Sequence, residues 1–237
     1  MFLLKRMIAA ALACMAIMLP AFAQDLRGYE KGRGYQYVSF GSYPQGEQGE
    51  ALRIVWRVLQ SKDGLLYAMS EYILDVRRID GDQWNYKGWR SSELYPWLNG
   101  EMLQTAFTPQ ERAALHEDEE LGFLSLPSLE DIRNPAYGFS DDRSRQFVGT
   151  PYALTQRGLY RYSGRAYSPI WTRTPSQKTH AHRSTKSGGS IGFIGVESDD
   201  LGLVPVIWLE EEALSVLSGE GTLALPFVLA VKEEANP

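Results

Sequence analysis

Hydrophobic and polar positions alternate along the first third of the chain, as they do in half-buried β-strands. In the segment LRIVWRVLQ, Arg53 and Arg57 fall on one face, and the other face carries the apolar residues Leu52, Ile54, Trp56 and Val58. The segment YQYVSF precedes this strand, and LLYAMS follows it after an Asp-Gly dipeptide that favours a hairpin turn. The pattern therefore predicts neighbouring antiparallel strands in this part of the fold.

Helix signals occupy the middle of the chain. In TPQERAAL, Thr108 is placed to cap a helix, Pro109 to take its first position and Glu111 to complete a capping box. Ser92 can cap the segment ELYPWLN, and Ser128 can cap another short helix. These signals predict short helices between the two strand-rich ends.

Three apolar segments, IGFIGV, LVPVIWL and LPFVLAV, close the chain, whereas the pattern between residues 137 and 189 is irregular. Strands at both ends with helices between them predict an α+β fold instead of a repeating β-α-β sheet. The sequence has no low-complexity tract, long linker or internal repeat. We therefore expect one α+β domain over residues 24–237.

Residues 1–23 have the pattern of a secretory signal peptide. Lys5 and Arg6 form a positive start, a short apolar run follows, and small residues end the segment at Ala23. The apolar run is shorter than the roughly 20 residues that a membrane-spanning helix needs. We expect cleavage after Ala23, a mature chain that begins at Gln24, no membrane span, and a periplasmic or secreted location.

The only cysteine, Cys14, lies within the predicted signal peptide. The mature chain would then have no disulfide and no thiol for catalysis. A lipoprotein with an acylated Cys14 is the weaker alternative, because Ala11 stands where a lipobox has Leu.

Seven short motifs follow one another along the chain: FGSYPQ, WRVL, SEYIL, SSELYPWLN, AFTPQE, FLSL and WTRTP. In this order they resemble a bacterial family catalogued as domain of unknown function 6273, with the best match over about residues 38–209. The chain departs from the family pattern at Val204-Pro205-Val206, where the family has Arg-Pro-Ala. A role of that family arginine is therefore not expected here.

The family is similar to C-type-lectin-like folds, which include formylglycine-generating enzymes. The resemblance therefore implies an α+β, C-type-lectin-like mixed sheet with short helices and long irregular loops. It implies no activity, because one fold carries many functions. Formylglycine chemistry depends on cysteines that the predicted mature chain lacks.

Candidate metal ligands are few in this sequence. His180 and His182 would face the same side of a strand, but the neighbouring cation Lys178 repels a metal ion. The acidic pairs at 141–142 and 199–200 could be calcium loops, but solvated turns are the simpler interpretation. We expect no metal and no cofactor.

Catalytic signatures are also few. Motifs of serine hydrolases, zinc peptidases and phosphate-binding loops do not occur in the sequence. Glu71, in SEYIL, is the first candidate for a catalytic carboxylate. Alternatively, it forms a structural ion pair with Arg57 or Arg90. We assign no catalytic residue from the sequence.

One long stretch contains no carboxylate although the whole chain has a net charge of −5. Residues 143–196 carry nine Lys and Arg and no Asp or Glu, which predicts an electropositive face or cleft. Arginine binds carboxylate, sulfate or phosphate, and the interleaved aromatic rings can stack on sugar faces. Pairing with the acidic segment 116–120 is the alternative. The predicted ligand-binding residues are Arg161, Tyr162, Arg165, Tyr167, Trp171 and Arg173.

The sequence thus predicts an exported non-enzymatic binding module for an anionic glycan or cell-envelope polymer. Nucleic acid is not expected as a partner outside the cytoplasm. Two alternatives stay open: a carboxylate-dependent envelope hydrolase that uses Glu71, and a scaffold or subunit whose basic face docks an acidic protein partner. A concave groove favours the binding module or the hydrolase, and a flat basic face favours the scaffold.

Overall fold

A computed structural model of the chain describes residues 26–162, 164–176 and 181–233. The predicted signal peptide and its cleavage site lie outside the described residues, as do Lys178 and His180. None of the helices within these ranges has both the length and the apolar composition needed to cross a membrane.

The described residues form strands and short helices. The strands are β1 (Gln36–Pro44), β2 (Ala51–Lys62), β3 (Leu65–Ser70), β4 (Asp75–Val76), β5 (Leu124–Ser125), β6 (Trp171–Pro175), β7 (Ala181–Thr185), β8 (Ile191–Gly195), β9 (Gly202–Leu203), β10 (Val206–Glu210), β11 (Leu214–Ser218) and β12 (Phe227–Val231). The helices are α1 (Leu94–Trp97), α2 (Leu103–Ala106), α3 (Pro109–Ala113) and α4 (Pro151–Thr155), with a π-helical turn (Leu98–Met102) between α1 and α2.

The largest sheet has seven strands in the order β11-β12-β1-β2-β3-β10-β5. β1 and β12 run parallel, and the other neighbours in this sheet are antiparallel. A three-stranded antiparallel sheet, β6-β7-β8, and a two-stranded pair, β4-β9, complete the strand pairings. Mixed sheets with few short helices and irregular loops confirm the predicted α+β fold.

Both faces of the seven-stranded sheet are covered, because alternate residues of its central strands pack in opposite directions. In β3, Leu66 and Ala68 belong to one apolar cluster, whereas Tyr67 and Met69 belong to the other. The first cluster also holds the apolar residues of the helical segment from α1 to α2. The second includes residues of the loops that precede β6, among them Phe147.

Local sequence signals produce the expected local structure in several places. Thr108 accepts a hydrogen bond from the Glu111 backbone N–H, and the Glu111 carboxylate accepts from the Thr108 backbone N–H, so the capping box of α3 is confirmed. The turn between β2 and β3 has positive φ at Asp63 (54°) and Gly64 (77°). These two residues tolerate this conformation better than most, which fixes the register of the hairpin.

The segment that was expected to be irregular, residues 137–189, instead contains two strands of a sheet, β6 and β7. These strands are rich in Ser, Thr, His and Arg, so their hydrophobic pattern gave no strand signal. They are nevertheless held against the core by Trp171 and His182, both of which are fully buried. The His182 ring bonds the Thr172 carbonyl through Nδ1 at 3.0 Å and the Tyr86 hydroxyl through Nε2.

Burial lowers the pKa of His182 below its ordinary value of 6.5. The unfolded chain therefore takes up a proton at a higher pH than the folded protein does, so this histidine should reduce stability as the pH falls below about 6.5. We expect the free energy of unfolding to fall more steeply between about pH 7 and about pH 5 in the wild type than in His182→Gln. Urea denaturation across this range measures the difference.

Carboxylates titrate in both proteins, so their contribution cancels in the comparison. Parallel stability curves for the wild type and His182→Gln would show that the proton affinity of His182 does not change on folding.

Candidate ligand-binding groove

A groove of about 600 Å³ opens between the β7–β8 hairpin, the segment before β6 and the segment after β8. We call it the hairpin groove. The residues of its lining that bear on ligand binding are Tyr160, Tyr162, Arg165, Lys186, Phe193 and Asp200.

Three aromatic side chains of the hairpin groove face solvent in part. Tyr160 is 44% exposed, Tyr162 is 57% exposed and Phe193 is 46% exposed. Large exposed rings that are grouped in one concavity are characteristic of interaction sites. Here they provide flat apolar surfaces beside polar groups.

Two cations of the hairpin groove, Arg165 and Lys186, are exposed and have no carboxylate within ion-pair distance in the described part of the chain. The Arg165 backbone N–H donates to the Tyr162 carbonyl at 3.0 Å. A Cβ atom placed on Gly188 would lie 4.0 Å from Arg165 Nη1, so the guanidinium is near the hairpin tip. The Lys186 stem follows β8, since a Cβ on Gly192 would lie 3.2 Å from Lys186 Cε.

A single carboxylate, Asp200, is present among the described residues that line the hairpin groove. Its Oδ1 atom is shielded from solvent and has no hydrogen-bond partner among the described residues. Its backbone carbonyl accepts a hydrogen bond from the Tyr160 N–H at 2.9 Å, which holds the wall of the groove together.

The tip of the β7–β8 hairpin is anchored to a neighbouring turn. Arg145, itself buried, donates through Nε to the Gly189 carbonyl at 3.0 Å and pairs with Asp142 at 2.5 Å. Gln146 donates to the Gly188 carbonyl at 3.2 Å. These contacts fix the position of the hairpin wall without using the side chains that face the groove.

The structure brings two of the six predicted binding residues, Tyr162 and Arg165, into the hairpin groove. Arg161 is exposed and Tyr167 is half-buried, but neither lines the groove. Trp171 is fully buried and donates through Nε1 to the Arg77 carbonyl at 2.9 Å.

Arg173 lies away from the hairpin groove, in a separate depression that it lines together with residues 116–121. Its guanidinium donates to the Leu126 carbonyl and pairs with Asp131 at 3.2 Å. Asp131 also accepts a hydrogen bond from the Tyr67 hydroxyl at 2.9 Å. Arg173 is thus integrated into a polar network between the seven-stranded sheet and the loops beside it.

The cations of the acid-free stretch therefore divide into two groups. Arg145, Arg157 and Arg173 pair with Asp142, Asp75 and Asp131 respectively, so part of the stretch holds the fold together. Arg165 and Lys186 belong to the second group, which is exposed and lines the hairpin groove. The predicted internal pairing is thus found for the first group, with acidic partners other than the segment 116–120.

The first candidate for a catalytic carboxylate, Glu71, is engaged in the structure. It pairs with Arg57 at 2.6 Å, and both side chains are largely buried. Asp141 of the first acidic pair accepts from the Ser144 backbone N–H at 2.8 Å, as in a solvated turn. Within the described ranges, His, Cys, Asp and Glu form no group of three or more that could hold a metal ion.

Four of the six groove residues that bear on ligand binding were not among the predicted binding residues. Tyr160 and Lys186 lie in the acid-free stretch, whose charge pattern does not show which of its side chains line the groove. Phe193 lies in an apolar strand segment, and no local signal separates an exposed Phe from a buried one there. Asp200 was considered only as part of an acidic turn, because its proximity to Tyr160 arises from the tertiary fold.

The chain matches no family model, no curated protein and no solved structure. The resemblance to the domain of unknown function 6273 family and to C-type-lectin-like folds therefore stays a prediction.

We expect Gly189→Ala to destabilise the protein by roughly 2–4 kcal/mol. The alanine would have to adopt the left-handed backbone conformation of Gly189, and its Cβ would clash with a neighbouring backbone atom. Gly189 has φ of 87°, and its Cβ would lie 1.7 Å from the Asp142 carbonyl oxygen. Gly188→Ala is the matched control, because its Cβ meets nothing closer than Arg165 Nη1 at 4.0 Å. Urea denaturation of both variants makes the comparison, and equal stabilities would contradict the described hairpin tip.

We expect Arg173→Ala to cost on the order of 2–4 kcal/mol of stability and to leave ligand binding in the hairpin groove unchanged. The side chains of Arg173 and Asp131 are only 19% and 13% exposed, so removal of the arginine leaves a largely buried carboxylate without its counter-ion. Arg133→Ala, at an exposed arginine of the neighbouring 3-10 turn (Asp131–Arg133), is the control. A folded, stable Arg173→Ala variant that loses ligand binding would contradict this expectation and show that Arg173 belongs to the ligand site.

Proposed function

We propose that the chain is an exported non-enzymatic binding module for an anionic glycan or cell-envelope polymer, and that the hairpin groove is its binding site. The observation that carries the proposal is the position of Arg165 and Lys186, exposed and without a carboxylate partner in the described residues, beside exposed rings. Export rests on the signal-peptide pattern of residues 1–23. The charge of the groove lining supports an anionic ligand.

The side chains of the hairpin groove suit a ligand that has both charge and flat apolar faces. A guanidinium and an ammonium bind carboxylate, sulfate or phosphate oxygens by charge-assisted hydrogen bonds. The rings of Tyr160, Tyr162 and Phe193 offer surfaces on which a sugar can stack. Neither group alone distinguishes a glycan from other polyanions, but their combination in one groove favours a glycan.

Binding is favoured over the two alternative functions by particular contacts. A glycosidase of the usual kind needs two carboxylates that flank the scissile bond. Asp200 is the sole carboxylate among the described residues of the groove lining, and Glu71 is held by Arg57. An acidic protein partner would fit a flat basic face better than a concave site.

The paired change Arg165→Ala/Lys186→Ala should weaken binding of an anionic polymer at least about tenfold at low salt, because it removes two charge-assisted contacts. Titration calorimetry with polygalacturonate, heparin and polyphosphate measures this loss, and neutral dextran serves as the uncharged control. Wild-type affinity should fall as salt rises, since exposed charges are screened beyond roughly 8 Å at physiological ionic strength.

The control protein is Lys31→Ala/Arg133→Ala, which removes the same charge from exposed positions outside the hairpin groove. Equal losses in the two paired variants would mean that binding follows net charge and not this groove. No binding of any of the three polyanions by the wild type would contradict the proposed function.

A further inference from the structure

Asp200 is the unexplained residue of the hairpin groove. It places a negative charge among cations, where it repels any polyanion that approaches, because like charges at short range raise the free energy of the complex. No Lys or Arg within ion-pair distance offsets that charge in the described part of the chain. A site that only gathers anionic charge would bind better without this carboxylate.

The Asp200 carboxylate also has unused capacity to accept hydrogen bonds. Its Oδ1 atom has no donor among the described residues, and a shielded polar atom without a partner costs free energy. The torsion that turns a carboxylate group is soft, so the group can rotate to meet a donor in the groove. An ionised carboxylate accepts and never donates, so the group that satisfies it must carry N–H or O–H.

Arg165 and Lys186 require a hydrogen-bond acceptor on the ligand, because their side chains only donate. The ligand must therefore present an anionic group and a hydrogen-bond donor within the span of one groove. It must also present an apolar face to the rings of Tyr160, Tyr162 and Phe193. One repeating unit that carries all three features would satisfy the groove most simply.

Common polyanions meet these requirements unequally. Polyphosphate has the charge, but it has neither ring faces nor hydroxyl donors. A heavily sulfated glycan has ring faces, but sulfation replaces hydroxyl donors by negative charges that Asp200 repels. A uronic-acid unit carries one carboxylate, free ring hydroxyls and a flat face of C–H groups, and a planar carboxylate also matches the guanidinium fork of arginine.

We infer that the hairpin groove recognises a glycan of uronic-acid units, with Arg165 and Lys186 on the sugar carboxylate and Asp200 as the acceptor of a ring hydroxyl. This inference rests on the proposed function and specifies the ligand class of the same site. Asp200 is then a specificity residue, which selects uronates against denser polyanions.

The test compares Asp200→Asn with the wild type on two probes, a panel of uronate trisaccharides (galacturonate, mannuronate and glucuronate) and inorganic tripolyphosphate. For the uronate that binds most tightly, Asp200→Asn should weaken binding about tenfold, because a charge-assisted hydrogen bond is lost. For tripolyphosphate the same change should strengthen binding by roughly twofold or more, because a repulsive charge is removed. Asp199→Asn is the matched control, because it makes the same charge change at the neighbouring exposed residue outside the groove lining. It should change the affinity for either probe little.

Opposite signs for the two probes support the inference, since a purely structural role of Asp200 would weaken both. If Asp200→Asn strengthens the binding of both probes equally, or weakens the binding of both, Asp200 does not accept a hydrogen bond from a sugar and the inference is wrong. In those cases Arg165→Ala/Lys186→Ala still decides the proposed function separately, because it tests binding of any polyanion in the groove. If no uronate binds more tightly than neutral trigalactose while tripolyphosphate binds through Arg165 and Lys186, the inference fails and the proposed function stands.

Discussion

A guanidinium that is removed from water needs a carboxylate partner, and this constraint organises the chain. Arg57 pairs with Glu71, Arg157 with Asp75 and Arg173 with Asp131, in each case across many residues of sequence. The loss of one partner would leave a largely buried charge uncompensated, which costs up to about 3–5 kcal/mol where the pair is fully buried and less where it is partly exposed. These pairs attach irregular loops to the strands, so the loops take defined positions.

The same constraint separates structural cations from those available for binding. Arg145, which is buried, is neutralised by Asp142 and at the same time holds the carbonyl of Gly189 at the hairpin tip. Arg165 and Lys186 stay in water and need no internal partner. The acid-free stretch thus contains two kinds of cation: Arg145 fixes the hairpin tip, whereas Arg165 and Lys186 line the groove that we propose as the ligand site.

The sequence could predict those elements whose signals are local. The alternation in β2, the Asp63-Gly64 turn and the capping box of α3 depend on residues that are neighbours in the chain, and the structure contains all three. The strands β6 and β7 were missed because their polar residues are placed by packing of Trp171 and His182 against the core, which no local pattern reveals.

The hairpin groove could be predicted only in part for a related reason. Charge composition indicated the cationic stretch and therefore Tyr162 and Arg165, but it could not show that Trp171 points into the core. It also could not bring Asp200 next to Tyr160, because that contact is a backbone hydrogen bond between distant segments. Composition gives the sign of a surface charge, whereas tertiary packing decides which side chains form the site.

Amide NMR of a protein that begins at Gln24 tests most directly whether the hairpin groove is the ligand-binding site. Titration with an oligouronate should shift the backbone amides around Tyr162, Arg165, Lys186 and Phe193, and the shifts should saturate together. Shifts that instead centre on the depression beside Arg173, or that spread over the surface without saturation, would contradict the account.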